Sequence, residues 1–177
     1  METNPGKVLK YCPRCGGDSF IFDGIKAFDC NKCHFTFYTN SAAAVAGIIV
    51  NSNNQILLTT RAYEPMKGFL DLPGGFVDPF ESAEDAMVRE IKEELNLEVI
   101  NLRYLASFPN EYIFSGYSVY TTDLGFEVKV KNFDFIESKD DISGYIFIHP
   151  SEIDYSKIAS DSISKILICY IQKTAEH

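Results

Sequence analysis

The chain has 177 residues, of which 46% are hydrophobic and 14% aromatic, so it can form one packed domain or a domain with a small module. Its formal net charge of −9 at pH 7 argues against general nucleic-acid binding, because no basic stripe is available to neutralise phosphates. No apolar run approaches the roughly 18 residues of a membrane span and the N-terminus does not resemble a signal peptide, so we expect a cytoplasmic protein without a membrane partner.

Two cysteine pairs mark residues 1–40 as a small first domain. They are Cys12-Pro-Arg-Cys15 and Cys30-Asn-Lys-Cys33, with 14 residues between them. Paired C-x-x-C motifs at this separation are typical of a tetrahedral thiolate zinc site, here a zinc ribbon. Two redox pairs or disulfides, or His34 replacing one thiolate, are the alternatives. The zinc would be structural, because so short a segment buries too little apolar surface to fold without it.

The remaining residues, 41–177, alternate strand-like and helix-like patterns and predict an α+β domain. In the first domain we expect a polar tail over 1–10 and strands at 20–22 and 35–38. In the second we expect strands at 42–50, 55–61, 69–72, 99–108, 117–130 and 145–149, and helices from Ser82 to Asn96 and over 160–174. A loop or hairpin region rich in aromatic residues is predicted at 109–116, and a polar loop at 136–144. Cys169 lies in the last predicted helix and is expected in the core.

Three carboxylates share one face of the predicted central helix. Glu90, Glu93 and Glu94 stand at i, i+3 and i+4, beside an apolar arc that includes Val88 and Ile91. Like charges at this spacing oppose helix formation by about 0.2–0.5 kcal/mol per pair. A hard divalent cation would turn that repulsion into binding, because Mg²⁺ and Mn²⁺ prefer carboxylate oxygens. An acidic amphipathic helix is more often a solvated surface, so the three carboxylates alone do not decide between the two interpretations.

The residues around these carboxylates resemble a known motif. Residues 75–97 read G-x5-E-x7-R-E-I-x-E-E-x-N-L, which places Gly75, Glu81 and Arg89 in register with the acidic helix. This resembles the Nudix box, G-x5-E-x7-R-E-U-x-E-E-x-G-U, where U is aliphatic. The one departure is Asn96 in place of glycine, and asparagine also tolerates the left-handed backbone expected after a helix. The match makes a merely solvated acidic surface a poor explanation.

The resemblance implies a fold and a reaction. A Nudix domain is an α/β/α sandwich around a mixed β-sheet, here covering 42–174 and preceded by the small zinc ribbon. Nudix enzymes hydrolyse nucleoside diphosphates linked to another group, so the resemblance implies water attack on phosphorus with Mg²⁺ or Mn²⁺ as cofactor. The substrate would be a nucleotide-derived small molecule of the ADP-ribose, NADH or nucleotide-sugar type. Many relatives are homodimers, so a homodimer is expected as well.

The resemblance also assigns roles to the residues of the box. The metal would be bound by three carboxylates and one main-chain carbonyl, those of Glu90, Glu93, Glu94 and Gly75 (or Gly74). Catalytic support would come from Glu81 and Arg89, with Arg89 orienting a carboxylate through a charge-assisted hydrogen bond. The general base stays open between Glu90 and three acids of the loop that follows, Glu137, Asp140 and Asp141.

Substrate selection would come from outside the box. We predict that Arg61 contacts phosphate and that Phe69 and Tyr112 stack on a base. A zinc ribbon before a Nudix domain also resembles NADH pyrophosphatases, but their S-Q-P-W-P-F-P-x-S motif is replaced here by the sequence at 106–110, and the chain has no tryptophan. NAD-capped RNA or dinucleotide decapping therefore stands as an alternative substrate class, beside two further hypotheses. One is a Nudix-fold ligand sensor without turnover, and the other is a ribbon that recruits protein or RNA.

Overall fold

The chain folds as two units. The structure, a computed structural model, describes residues 2–175. One unit takes the chain up to Ala42 together with Glu111–Thr121, and the other takes Ala43–Asn110 and the chain from Thr122 onward. We call them the N-terminal unit and the C-terminal unit. The ends of the predicted domains, at Met1, Glu176 and His177, lie outside the described residues.

The N-terminal unit contains a short helix and a three-stranded antiparallel sheet. Its elements are α1 (Pro5–Val8), β1 (Phe20–Phe22), β2 (Ala27–Cys30) and β3 (Thr36–Tyr38), in the sheet order β1-β2-β3. Phe28 on β2 is fully buried, and its ring lies 4.8 Å from that of Phe20. The two outer strands were predicted. The middle strand was not, because four residues ending in a cysteine carry too little alternation to indicate a strand.

The prediction of an unstructured tail over residues 1–10 is wrong for α1. The side chain of Asn4 accepts a hydrogen bond from the Gly6 amide at 2.9 Å, and Pro5 occupies the first helical position, where it needs no donor. A β-carbon on Gly6 would lie 2.3 Å from Cδ1 of Phe22, so this turn packs closely on the sheet. The capping residue and the glycine together order a segment that composition alone described as a tail.

The rest of the chain forms two three-stranded sheets and two longer helices. The elements are β4 (Ala42–Ile49), β5 (Ile56–Arg61), β6 (Leu70–Asp71), α2 (Ala83–Leu95), β7 (Val99–Phe114), β8 (Tyr117–Val130), β9 (Ile142–Ile148) and α3 (Asp161–Ala175). Short 3-10 turns occupy Pro150–Glu152 and Tyr155–Lys157. The sheet orders are β4-β8-β7 and β6-β5-β9. Within residues 2–175, no helix has the length and apolar content to cross a membrane.

The C-terminal unit has the layered α+β arrangement that was predicted. Side chains of β4 and β5 alternate between two cores, so Val45 and Leu57 pack with α2 while Ile48 and Leu58 pack with α3. Strands buried on both sides in this way need a helix on each side. The α2 core includes Met87, Ile91 and Leu95, all fully buried, and each such burial stabilises the fold by about 1.5–3 kcal/mol. Cys169 packs against the α3 core, as expected.

Strand β7 is longer than predicted. It continues through Pro109 to Phe114, and the hairpin turns only at Ser115 and Gly116, whose φ values of 51° and 74° fit a type I′ turn. The hairpin is therefore the correct alternative for 109–116, although its turn takes only the last two residues of that range. Pro109 is tolerated because β7 is the edge strand of its sheet, where a missing N–H costs no ladder bond.

The last strand begins three residues earlier than predicted. β9 starts at Ile142, which pairs with Arg61, and the ladder with β5 is irregular between Thr60 and Arg61. The predicted loop over 136–144 therefore ends at Asp141, whose carbonyl accepts the Ala62 amide at 2.9 Å. This pairing fixes the end of the acidic loop against the end of β5.

Candidate active site

Helix α2 begins and ends where the sequence predicts. Ser82 Oγ accepts the Asp85 amide at 3.1 Å, which caps the N-terminus, and Asn96 adopts the left-handed conformation at φ 56°. The expected apolar arc is only partly correct, because Ile91 is fully buried whereas Val88 is 42% exposed. The helix is thus fixed at both ends and along one face, which gives the box a rigid support.

Arg89 connects three of the box carboxylates. Its Nε and Nη2 donate to the two oxygens of Glu81, each at 2.9 Å, and Nη1 donates to Glu90 at 2.8 Å and Glu93 at 3.1 Å. Nη2 also donates to the carbonyl of Phe76 at 3.0 Å. The hydrogen bonds from Arg89 lower the pKa of Glu81. Glu81 and Arg89 therefore form one charge-assisted unit that orients its neighbours.

Two glycines, Gly74 and Gly75, lie directly against the carboxylates of Glu94 and Glu90. A β-carbon on Gly75 would lie 2.4 Å from Oε1 of Glu90, so the absence of a side chain makes room for that carboxylate. The amide of Gly74 donates to Oε2 of Glu94 at 3.0 Å, and Gly74 has a φ of 149°. The turn before the helix thus contacts both Glu90 and Glu94.

The surroundings of Glu90 and Glu94 disfavour the ionised form of each carboxylate. Burial raises the pKa of Glu94 to about 9 despite the hydrogen bond from Gly74, and the charges of Glu90, Asp71 and Asp141 act in the same direction. Burial also raises the pKa of Glu90. Arg89 acts against this increase, whereas the charges of Glu93 and Asp140 add to it. A bound cation would remove this penalty, because it stabilises the ionised forms.

The three predicted metal-binding carboxylates do not converge on one point in this structure. Across residues 2–175, the four paired cysteines are the one set of acidic, thiol or imidazole side chains close enough to share an ion. Glu90 and Glu93 are turned toward Arg89, and Glu94 is turned toward Gly74. Glu94 is 6% exposed, whereas the side chain of Glu93 is 47% exposed. Cation binding would require side-chain rotation, which is easiest for Glu93.

Gly74 and Gly75 are the two candidates for the main-chain carbonyl that was predicted as a metal ligand, and their carbonyls differ in hydrogen bonding. The carbonyl of Gly75 accepts the Val45 amide at 2.8 Å, and that of Pro73 accepts the Gly47 amide at 2.8 Å. The carbonyl of Gly74 makes no hydrogen bond with any residue in the range 2–175. Gly74 is therefore better placed than Gly75 to offer an oxygen.

The loop acids differ in their relation to the box. The charge of Asp140 raises the pKa of Glu90, and that of Asp141 raises the pKa of Glu94, so both lie close enough to act on the box. Glu137 instead forms an ion pair with Lys139, which lowers its pKa. The structure therefore brings Asp140 and Asp141, more than Glu137, toward the candidate catalytic carboxylates.

Two of the three predicted substrate-binding residues are neighbours. The amide of Arg61 donates to the carbonyl of Phe69 at 3.0 Å, and the Arg61 guanidinium donates to Asp71 at 2.9 Å and to the carbonyl of Pro65 at 3.0 Å. Tyr112 belongs to the N-terminal unit, where its ring stacks with Phe114 at 6.3 Å. Asp71 was not predicted as a partner of Arg61, although it lies ten residues later on the strand that pairs antiparallel with β5.

The four cysteines of the N-terminal unit form a metal-ligand set. Their Sγ atoms all lie within 4.8 Å of one another, with Cys12 and Cys33 at 3.7 Å and Cys15 and Cys30 at 3.6 Å. Sulfur atoms about 2.3 Å from a tetrahedral zinc are separated by about 3.8 Å, whereas a disulfide requires about 2.05 Å. The distances fit thiolates around one ion and not two disulfides.

The two cysteine turns have matching backbone geometry. The Gly16 amide donates to the Cys12 carbonyl at 2.8 Å, and the His34 amide donates to the Cys30 carbonyl at 2.9 Å. Gly16 and His34 both have positive φ, at 66° and 57°. His34 therefore stands where the first turn has glycine and lies outside the ligand set, so the structure does not support it as a substitute ligand.

Comparison with known proteins matches residues 40–166 to the family model described as the NUDIX domain. Among curated proteins, the NAD-capped RNA hydrolase NudC of Vibrio parahaemolyticus is 33% identical over 101 residues, which is 57% of this chain and 38% of the relative. The ADP-ribose pyrophosphatase of Methanocaldococcus jannaschii is 49% identical over 73 residues, 41% of each chain. The chain thus spans less than half the length of these two relatives.

Solved structures share the fold. A NUDIX hydrolase from Nitrosomonas europaea has a TM-score of 0.71 at 24% identity, covering 95% of this chain and 93% of that one. The NUDIX domain of Shewanella oneidensis NrtR, solved with ADP ribose, has a TM-score of 0.63 at 15% identity, covering 77% of this chain and 90% of that one. At these identities the likeness concerns the fold.

Proposed function

The chain belongs to the Nudix family, and on that premise we propose that it hydrolyses the diphosphate bond of a nucleoside diphosphate linked to another moiety. The observation that carries the proposal is the full set of charged box residues, which lie on α2 and just before it. Arg89 binds Glu81, Glu90 and Glu93, while Glu94 is anchored on the Gly74 amide. A sensor without turnover has no need for this full set of oriented carboxylates, so the geometry favours an enzyme.

The residues present fit a hard divalent cation, Mg²⁺ or Mn²⁺. Glu90 and Glu94 are one helical turn apart and burial raises the pKa of both, so they gain most from a cation. Glu93 and the carbonyl of Gly74 would add further oxygens. When bound, such a cation supplies charge neutralisation of the diphosphate and promotes ionisation of water.

Proton removal from the attacking water is assigned to the acidic loop. Asp140 and Asp141 act electrostatically on Glu90 and Glu94, whereas Glu137 is paired with Lys139. A general base has to lie within hydrogen-bond reach of the attacking water, directly or through one further water. Glu90 stays the second candidate for this role.

Arg61 is proposed to bind the diphosphate, with Phe69 beside it as a surface for a base. Asp71 and the carbonyl of Pro65 hold the guanidinium in one orientation, which reduces the entropy lost on binding a phosphate. Tyr112 stays a prediction, as does the homodimer. Substrates of the ADP-ribose and NADH type are proposed first, because the names of the similar curated proteins include both ADP-ribose pyrophosphatase and NAD-capped RNA hydrolase.

The N-terminal unit is proposed to bind one structural zinc through Cys12, Cys15, Cys30 and Cys33. The Sγ distances of 3.6 and 3.7 Å support this assignment. Its small core, centred on Phe28, leaves the metal as the main source of folding free energy.

The test is a turnover screen with Mg²⁺ or Mn²⁺ against ADP-ribose, NADH, NAD⁺, nucleotide sugars, diadenosine polyphosphates and an NAD-capped RNA. We expect a released nucleoside monophosphate from at least one small molecule. Preference for the capped RNA over free NADH would favour the decapping alternative, which the similarity to NudC proteins supports. Metal-dependent binding of ADP-ribose without product would contradict hydrolysis and favour a ligand sensor.

A further inference from the structure

The C-terminal end of α2 is tied to the loop that carries Asp140 and Asp141, and we propose that Asn96 is the positioning residue for this loop. The inference rests on the proposed function, because it requires the loop acids to take part in turnover. It concerns the one position at which the chain departs from the box pattern.

The side chain of Asn96 bridges the helix and the loop. Its Nδ2 donates to the carbonyl of Phe135 at 3.1 Å, and its Oδ1 accepts from Nζ of Lys92 at 2.6 Å. Its backbone is left-handed, and its amide donates to the last-turn carbonyls of Ile91 and Lys92. The residue therefore ends the helix and, through the same side chain, fixes the backbone of the loop.

Two further hydrogen bonds extend this attachment toward the acids. The amides of Glu137 and Lys139 donate to the carbonyls of Leu95 and Glu94, at 3.1 and 2.9 Å. These carbonyls belong to the last turn of the helix, where backbone acceptors have no partner within the helix. The loop thus runs along the helix end and reaches Asp140 directly after the bond to Glu94.

Asp140 is held on both sides. On one side lies the bond from Lys139 to Glu94, and on the other the Asp141 carbonyl accepts the Ala62 amide of the β5 end. Asp140 itself has a φ of 56°, a left-handed conformation that aspartate tolerates better than most residues. Phe133 and Ile136 add apolar contacts to the α2 core, so the loop keeps its general path without Asn96. The side-chain amide of Asn96 holds the carbonyl of Phe135, which lies between these two apolar contacts and precedes the residues that lead to the acids.

A glycine at position 96 would keep the left-handed backbone that ends the helix but would lose the hydrogen bond to the loop. Glycine adopts the left-handed conformation more easily than asparagine, so Asn96→Gly preserves the cap. It removes both side-chain hydrogen bonds. The substitution therefore separates the role in the loop from the role in the fold.

The experiment compares Asn96→Gly with the matched control Asn54→Gly. Asn54 is exposed, lies in the β4–β5 turn and also has a left-handed backbone, at φ 59°. We expect Asn96→Gly to lower kcat about threefold to tenfold, as loss of one positioning hydrogen bond would do. KM and the Mg²⁺ concentration for half-maximal rate should stay as in the wild type. Asn54→Gly should leave all three unchanged.

The same substitution in a variant without the loop acids decides whether Asn96 affects turnover by positioning them. In the Asp140→Asn/Asp141→Asn variant, Asn96→Gly should cause no further loss of kcat, because there is no acid left to position. Hydrogen exchange should be faster at the Glu137 and Lys139 amides in Asn96→Gly than in the wild type. A wild-type kcat in Asn96→Gly, or an equal loss in both backgrounds, would overturn the proposal. A wild type silent toward every substrate would refute the proposed function instead, and hydrogen exchange would still report the tether.

Discussion

Gly74 and Gly75 are neighbours whose missing side chains matter for different atoms. A β-carbon on Gly74 would lie 2.0 Å from the carbonyl oxygen of Val45, a backbone atom that cannot move alone. A β-carbon on Gly75 would meet the far end of the Glu90 side chain, which can rotate. The first contact concerns the fold, and the second concerns the candidate site.

Because of these contacts, we expect Gly75→Ala to affect mainly turnover and Gly74→Ala to affect mainly stability. Gly75→Ala should stay within about 1 kcal/mol of the wild type in free energy of unfolding, and should lose about tenfold or more of kcat because Glu90 is displaced. Gly74→Ala should lose at least about 2 kcal/mol of stability. Denaturant unfolding and turnover assays of both variants measure these effects. An equal loss of stability in both would contradict the assignment.

The raised pKa of Glu94 predicts how the stability of the magnesium-free protein depends on pH. Its pKa is about 9 in the folded protein and 4.5 as the reference for the unfolded chain. The folded state binds this proton more tightly, so its contribution to stability is complete below pH 4.5 and is lost as pH rises toward 9. Thermal unfolding in magnesium-free buffer should therefore show a falling Tm over this range.

Glu94→Gln is the control for this pH dependence. The variant cannot ionise at position 94, so its Tm should fall by less over the same range, and added Mg²⁺ should raise its Tm less than in the wild type. Chelators are avoided, because they would also remove the zinc that we propose for the N-terminal unit. Identical pH profiles for the two proteins would argue against a buried, protonated Glu94.

Residue-level patterns predicted the ends of α2 but not all of its surroundings. Ser82 and Asn96 act as caps because capping depends on the residue and its immediate neighbours. The bond from Asn96 to Phe135 spans 39 residues, and that from Arg61 to Asp71 requires two adjacent strands. Such contacts follow from the fold, so the sequence pattern alone could not specify them.

The zinc ribbon can be tested as an element. Cys12→Ser removes one of four ligands and should lower zinc content from about one per chain to a small fraction, since three thiolates bind more weakly. Cys169→Ser is the matched control, because Cys169 packs against the α3 core of the C-terminal unit and is not one of the four clustered thiols. Elemental analysis and thermal unfolding give the readout. Unchanged zinc in Cys12→Ser would refute the site.

The long hairpin shows why strand lengths were less predictable than strand positions. Pro109 and Asn110 are typical turn residues, and they led to a loop or hairpin region being predicted from residue 109 onward. The edge position of β7 accommodates the proline, and the true turn lies at Ser115 and Gly116. Whether a strand is at an edge depends on the topology, which periodicity does not reveal.

For the whole molecule, the fold class followed from alternating elements and the box, whereas the sheet order came from family resemblance. The sequence pattern indicated strands at β4 and β5, and both pack on two cores. It could not show that the strands form two sheets, because pairing partners are distant in sequence.

The net charge of −9 predicts weak binding to nucleic acid. Uncapped single-stranded RNA should not inhibit turnover of a small-molecule substrate at about 0.15 M salt, where screening is moderate. The measurement is an inhibition series at two salt concentrations. Inhibition that weakens as salt rises would instead support a ribbon that recruits RNA.

The most direct measurement is Mg²⁺-dependent release of AMP from ADP-ribose by the wild type and by Glu94→Gln, with folding checked by circular dichroism. If ADP-ribose is not turned over, the best substrate from the screen replaces it. We expect turnover in the wild type and a loss of about a hundredfold or more in a folded Glu94→Gln variant. Turnover in Glu94→Gln at the wild-type rate, or in the wild type without divalent cations, would contradict hydrolysis by the carboxylates of the box.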